Sequence, residues 1–320
     1  MILGIEIGGT KLQLGVGSGD SPKLAEVVRR PVDRGAGAAG ILDQITEAGS
    51  RLISAHRVDR VGIGFGGPID MSTGVIYKSM QVSGWRGFRL TDWSERVLGL
   101  PTAVGNDCDV AALAEATHGA GHGRGIVSYV TVGTGVGGGL VVDGRLHGRT
   151  RIARAEMGQM RPGLDAHAPD MTVESMAAGP GIESSFRRHY EVSPDDPRVR
   201  SLMQEVGEDY PDRITAKKIA SAARNGDPLA VEIFDRATRA LGWAIAQVIT
   251  LVASEVVVIG GGVSLAGDEI FFDPIRRYVA DYVFPPFLDT YEIVPAALGE
   301  EVVVHGAIAL AGDGLPLRRE

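Results

Sequence analysis

Strands alternating with helices along a 320-residue chain predict an α/β protein of two compact units. Two observations carry this expectation. The chain opens on a glycine-centred pair of short apolar runs, "GIEIGGTKLQLGV", and the same layout returns later as "IVSYVTVGTGVGGGLVVDG", which suggests an internal duplication with one hairpin in each half. Between and after these runs lie stretches whose apolar residues recur at helical spacing.

Taken in order, residues 2–7 and 11–16 read as strands around Gly8, Gly9 and Thr10. Ile41, Leu42, Ile45, Ala48, Leu52 and Ile53 place an amphipathic helix over residues 39–56. "RVGIGFGGPID" is an apolar strand that ends in Gly66, Gly67 and Pro68, and "LTDWSERVLGL" is a helix opened by Thr91 or Asp92. "PTAVGND" is a strand running into the helix "DVAALAEATHGA". Residues 145–171 read as loop, and from Glu174 the pattern is mainly helical, with Gly226, Asp227 and Pro228 separating two helices. "SEVVVIGGGVS" and "YEIVPAALG" are strands, and "VVVHGAIALAG" is a closing helix.

The composition excludes several classes. At 44% hydrophobic and 22% charged, with no apolar run of about 18 residues, the chain has no membrane helix. It opens directly on a strand pattern rather than a secretory leader, so the cytoplasm is expected. A single cysteine, Cys108, rules out an internal disulfide and any multi-cysteine zinc site. A net charge of −8 disfavours nucleic acid as a partner, because that affinity rests on clustered Lys and Arg.

The glycines gather in three turns. Successive backbone N–H groups can converge on an anion where no Cβ stands in the way. "IGGTK" adds the Thr10 hydroxyl and the Lys11 cation, yet by itself it reads equally as a plain hairpin turn. "VGTGVGG" sets Thr134 between Gly133 and Gly135, and "IGGG" places Gly260, Gly261 and Gly262 after a buried strand, with room for a flat base or ribose. None matches G-x-x-x-x-G-K-[ST] or a helix-opening G-x-G-x-x-G.

With "GIEIGGTK", "GFGGPID", "GND", "TVGTGVGGGL", "AEMGQ" and "VVIGGG" in this order along almost the whole chain, the sequence resembles the ROK family of bacterial sugar kinases, which includes glucokinases. The resemblance implies an actin-like ATPase (ribonuclease H-like) fold, with two α/β domains around a cleft for ATP and sugar, commonly as a homodimer. The domains are then expected at residues 1–117 with 303–320, and at 118–302. Gly8, Gly9, Thr10 and Lys11 would form the first phosphate loop, Gly133, Thr134 and Gly135 the second, and Gly260, Gly261 and Gly262 part of the adenosine site.

The same resemblance gives roles to single residues. Asp107 becomes the general base, although Asp at a strand-to-helix junction is also a common helix cap. A loose transition state delays proton transfer, so an ordinary carboxylate suffices. Asn106 and Gly67 fall on sugar-side positions, Glu156 on the sugar-binding glutamate, and Glu174 on a second one. Glu6 replaces the family's usual aspartate, which helps hold Mg²⁺ through water; otherwise it is a strand residue facing solvent. "SGW" at residues 83–85 matches a family neighbourhood, and Trp85 also reads as core.

The chain departs from the family at "AEMGQM". Members carry a histidine where Gln159 stands, followed by cysteines that hold zinc; here "RPGLDAHAPDMTVESM" has no cysteine. No zinc is expected, His167 reads as a solvated loop side chain, and Gln159 can still contact sugar. The basic group at Arg145, Arg149, Arg151 and Arg154 reads as a solvated loop, the alternative being a site for an anionic substituent. The expectation is thus a Mg-ATP-dependent hexose kinase, glucokinase-like at the sugar 6-hydroxyl, with fructose, allose, mannose and N-acetylhexosamines open. A non-catalytic sugar sensor is the alternative. A sugar-responsive repressor is not expected, since the first loop begins at Gly4 and leaves no room for a DNA-binding domain.

Overall fold

The computed structural model describes residues 1–79, 81–148, 154–168 and 170–312. Contacts divide the chain into two units, one formed by residues 1–129, 139–155 and 296–320, the other by residues 130–138 and 156–295.

In the first unit β1 (Ile2–Ile7), β2 (Lys11–Gly17) and β3 (Leu24–Pro31) form an antiparallel meander, followed by α1 (Gly37–His56). Then come β4 (Arg60–Phe65), the small pair β5 (Ile69–Asp70) and β6 (Val75–Ile76), α2 (Leu90–Leu98), β7 (Thr102–Asn106) and α3 (Asp107–His118). The main sheet runs β3-β2-β1-β4-β7, with β4 parallel to both β1 and β7. β1 is therefore central and buried along its whole length, which removes the solvent-facing reading of Glu6. α2 starts one residue earlier than expected and has no side-chain cap, so Thr91 and Asp92 sit inside its first turn.

A second five-stranded sheet runs β10-β9-β8-β11-β12. Its strands are β8 (Ile126–Val132), β9 (Val136–Val142), the short β10 (Arg145–Leu146), β11 (Val256–Gly260) and β12 (Glu292–Pro295). Three consecutive strands on one side and two later strands on the other repeat the order of the first sheet, as the duplicated hairpin pattern suggested. The helices α4 (Val173–Ala177), α5 (Gly179–Val192), α6 (Pro197–Glu205), α7 (Ala216–Arg224), α8 (Pro228–Val252) and α9 (Asp273–Tyr282) belong to the second unit, and α10 (Val302–Gly312) closes the first. Asp227 caps α8 through Leu229 N and Ala230 N, which explains the break read at residues 226–228.

Each unit has its own core. In the first, Ile5, Ile63, Val104 and Trp85 are buried together, and Trp85 meets Phe65 edge-on at 5.2 Å. α10 packs directly on β4 and α3: a Cβ on Gly62 would overlap the Ala307 carbonyl, and one on Gly306 would overlap that of Val110. That close approach lets α3 hold a fixed position on the sheet, and α3 carries Asp107. In the second unit α8 lines a core with Phe186, Phe234 and Phe271. Among the described residues no helix is long and apolar enough to cross a membrane.

Candidate active site

In the first unit the expected residues gather at the carboxyl ends of β1, β4 and β7, the end of a parallel sheet at which ligands bind. Asn106 ends β7 and caps α3: its Oδ1 accepts from Cys108 N at 2.9 Å and from Asp109 N at 3.3 Å. Its Nδ2 donates to Gly67 O at 3.1 Å. The cap is thus Asn106, and neither aspartate supplies it. Asp107 Oδ1 accepts from Cys108 N at 2.9 Å. Its Oδ2 turns to the Gly66 turn, where a Cβ would come within 3.4 Å. Burial pushes the Asp107 carboxyl above the ordinary aspartate range, against the hydrogen bond from Cys108.

Glu6 is 8% exposed. Its Oε2 accepts from Gln13 Nε2 at 2.7 Å and lies 3.5 Å from Lys11 Nζ. Burial raises the Glu6 carboxyl, Lys11 and Gln13 pull it back, and the nearby Asp107 charge adds to the rise. Gln13 is fully buried and oriented on three sides: its amide also donates to Glu300 O at 2.9 Å and accepts from Arg29 Nε at 3.0 Å. Arg29 in turn pairs with Glu301.

The first glycine turn closes as Gly8 N donates to Lys11 O at 3.1 Å. Thr10 is exposed. Lys11 Nζ donates to Glu300 O at 3.1 Å, so this cation is engaged beside Glu6 rather than held clear of the protein. Arg34 Nε donates to Gly9 O at 3.0 Å, and the Gln81 side chain lies over Gly9 where a Cβ would otherwise stand. Arg34 and Gln81 escaped the sequence reading because their partners are distant in the chain, and Gln13 because the hairpin register that sets it opposite Glu6 is fixed only in the structure.

A divalent cation, which binds carboxylate oxygen, would suit the buried Glu6 and offset the Asp107 charge that raises it. Among the described residues no group of three or more His, Cys, Asp or Glu could hold a metal alone. Glu6 would therefore share the ion with phosphate and water, as Mg²⁺ commonly requires.

The second unit contains a pocket of about 660 Å³ lined by Gly133, Thr134, Gly179, Lys217, Arg224 and Gly262, among others. Gly179 N donates to Gly133 O at 2.8 Å, which seats the β8–β9 turn on the start of α5. α5 has no acidic residue in its first turn, so its dipole favours an anion there, although Gly179 N is already bonded and Pro180 has no N–H. Gly261 has φ +91°, and a Cβ there would lie 2.5 Å from Val132 O; Val263 N donates to the same oxygen at 2.9 Å. Gly260 is buried at the end of β11, and neither it nor Gly135 lines the pocket. α5 and α7 contribute lining that the motifs did not reveal. The signal available in the sequence was the helix start "GPG" and the cation pair Lys217 and Arg224.

Glu174 lies on α4 behind a Thr172–Ser175 capping box. Its Oε2 accepts from Val136 N at 2.9 Å, and its Oε1 is 3.5 Å from Gln159 Nε2. Glu156 and Gln159 are exposed at the two ends of a short helical turn. The following loop is held by Arg161, which donates to His167 O at 3.1 Å, and by Val173 N, which donates to Met160 O at 2.9 Å. The basic group divides: Arg145 is exposed, Arg149 and Arg151 lie outside the described residues, and Arg154 is buried against Asp109 instead of solvated.

Residues 2–313 match the ROK family. The chain belongs to it. It is 33% identical to a glucokinase of Thermotoga maritima over 316 residues, 97% of this chain and 96% of that protein. It is also 33% identical to a glucokinase of Halalkalibacterium halodurans, covering 95% and 92% of the two chains. A crystal structure of a ROK family glucokinase from Streptomyces griseus, in complex with glucose and AMPPNP, superposes with a TM-score of 0.79 at 30% identity, over 98% of this chain and 99% of that one. The fold is the actin-like ATPase fold of ROK sugar kinases, as expected from the motif order.

Proposed function

We infer that this ROK protein is an ATP-dependent hexose kinase of glucokinase type. The observation that carries the reading is Asp107: a carboxylate with one oxygen fixed by the backbone, the other turned to a glycine turn, and a raised proton affinity. Full-length similarity to glucokinases, one of them solved with glucose and AMPPNP, supports it. Asp107 Oδ2 would take the proton of the sugar 6-hydroxyl as that oxygen forms its bond to the γ-phosphorus and ADP departs.

The pocket of the second unit suits the nucleotide. Thr134 and Gly262 line it with backbone free of bulky side chains, the α5 dipole favours an anion, and Lys217 and Arg224 offer charge. Glu6 would hold Mg²⁺ through water, and the ion would neutralise charge on the phosphates. Glu156, Gln159, Asn106 and Gly67 supply sugar-side polar groups, and glucose is the proposed sugar. An enzyme spending ATP on a free hexose would work in the cytoplasm. The hydrogen bonds from Arg161 and Val173 give the zinc-ligand loop of other members a different support here, so we propose that activity needs no zinc.

The test is ADP release from Mg-ATP over glucose, mannose, fructose, allose and N-acetylhexosamines, repeated with Asp107→Asn. Release that depends on a hexose and vanishes in the variant is expected. Absence of sugar-dependent ADP throughout the panel, with sugar binding retained, would favour the sensor instead.

A further inference from the structure

Arg154 and Asp109 form an ion pair almost sealed from solvent. Arg154 Nε lies 3.0 Å from Asp109 Oδ2, and the side chains keep 6% and 4% of their exposure. The guanidinium also donates from NH1 to Gly148 O at 2.9 Å. Arg and Asp are seldom buried so fully, and desolvation offsets much of their attraction, so such a pair is weak evidence of stability alone. Its location suggests another purpose.

Asp109 is the third residue of α3, two positions after Asp107, and its N–H joins the Asn106 cap. The same turn is tightly packed: a Cβ on Gly139 of β9 would lie 2.6 Å from Ala112 Cβ and 2.8 Å from Cys108 O. Asp109 is therefore as firmly placed as the base itself. On the other side, Arg154 precedes Glu156 by two residues. The residue between them, Ala155, has φ +49°, a left-handed conformation that a residue with a Cβ holds only where its surroundings impose it.

We propose that Arg154, anchored on Asp109, is a positioning residue for sugar binding: it fixes the chain entering Glu156 to the helix that bears the base. A bidentate-capable planar guanidinium suits this role better than a flexible ammonium. The proposal rests on the reading of Glu156 as a sugar contact.

The experiment compares Arg154→Met, Arg154→Lys, the neutral pair Arg154→Met with Asp109→Leu, and Glu156→Gln. For each, KM is measured for ATP and for the hexose giving most ADP, together with the melting temperature. The neutral pair removes both charges of the ion pair together, so it is expected to fold even where Arg154→Met alone fails. The expected result is a sugar KM raised about tenfold or more in the neutral pair, an ATP KM within about twofold of the parent, and a smaller sugar defect in Arg154→Lys. A parental sugar KM in the neutral pair would mean that Arg154 serves stability alone and overturns the proposal. An unchanged sugar KM in Glu156→Gln would instead overturn the assignment of Glu156, and the proposal with it.

Discussion

Glu174 Oε2 accepts the Val136 N–H at 2.9 Å, fastening α4 to the first residue of β9, just beyond the Gly133–Gly135 turn. The glutamate thus secures the proposed phosphate turn, whatever it does for the sugar. A Cβ on Gly135 would lie 2.6 Å from that same oxygen, so the turn has no slack.

Glu174→Ala should therefore raise the KM for ATP as well as for sugar. Leaving a part-buried N–H unpaired costs about 1–3 kcal/mol, and the loss should appear as a loosened nucleotide site. Glu174→Gln keeps an acceptor oxygen and should preserve the ATP KM. Steady-state kinetics with both substrates varied will separate the two.

Asp107→Asn should lower kcat by about 10² to 10⁴-fold while raising the melting temperature near neutral pH. The folded pKa of Asp107 is above its unfolded value. Between the two values the folded state holds a proton that the unfolded state has released, so stability falls as pH rises through this window. Asparagine removes that slope. In the parent, turnover should fall on acidification through the raised pKa, because the base must be ionised. Thermal melts across pH and a pH–rate profile check both signs.

Gln13→Leu should increase the Mg²⁺ concentration required for half-maximal turnover, with a smaller effect on sugar KM. It deletes the amide that ties Glu6 Oε2 and Arg29, freeing the carboxylate to swing toward Lys11. Titration of Mg²⁺ at fixed ATP measures this, and an unchanged requirement would remove Glu6 from metal binding.

Lys217→Ala should weaken ATP about tenfold, the scale of one charge-assisted hydrogen bond, and leave sugar affinity unaltered. Calorimetric titration with a non-hydrolysable ATP analogue checks it.

Much of the chain was legible because its signals are local. The β1–β2 hairpin shows in its glycines, α1 in its apolar spacing and the α8 start in Asp227-Pro228. β3 was missed because it lies at the sheet edge, where "EVVRRP" remains partly exposed and carries charge. Glu6 was ambiguous because alternation alone cannot tell a central strand from an outer one. Arg154 was read with its basic neighbours as solvated because its partner, Asp109, stands far away in the chain.

By itself the sequence determined the α/β class, the order of the glycine turns, the kinase resemblance and the position of Asp107 at a strand-to-helix junction. Tertiary structure decided what each polar group faces: Lys11 on Glu6, Gln13 between Glu6 and Arg29, Glu174 on Val136, and Arg154 against Asp109. The physical reason is range. Backbone conformation follows from neighbours within a turn or two, whereas desolvation and charge pairing depend on residues that only folding brings together.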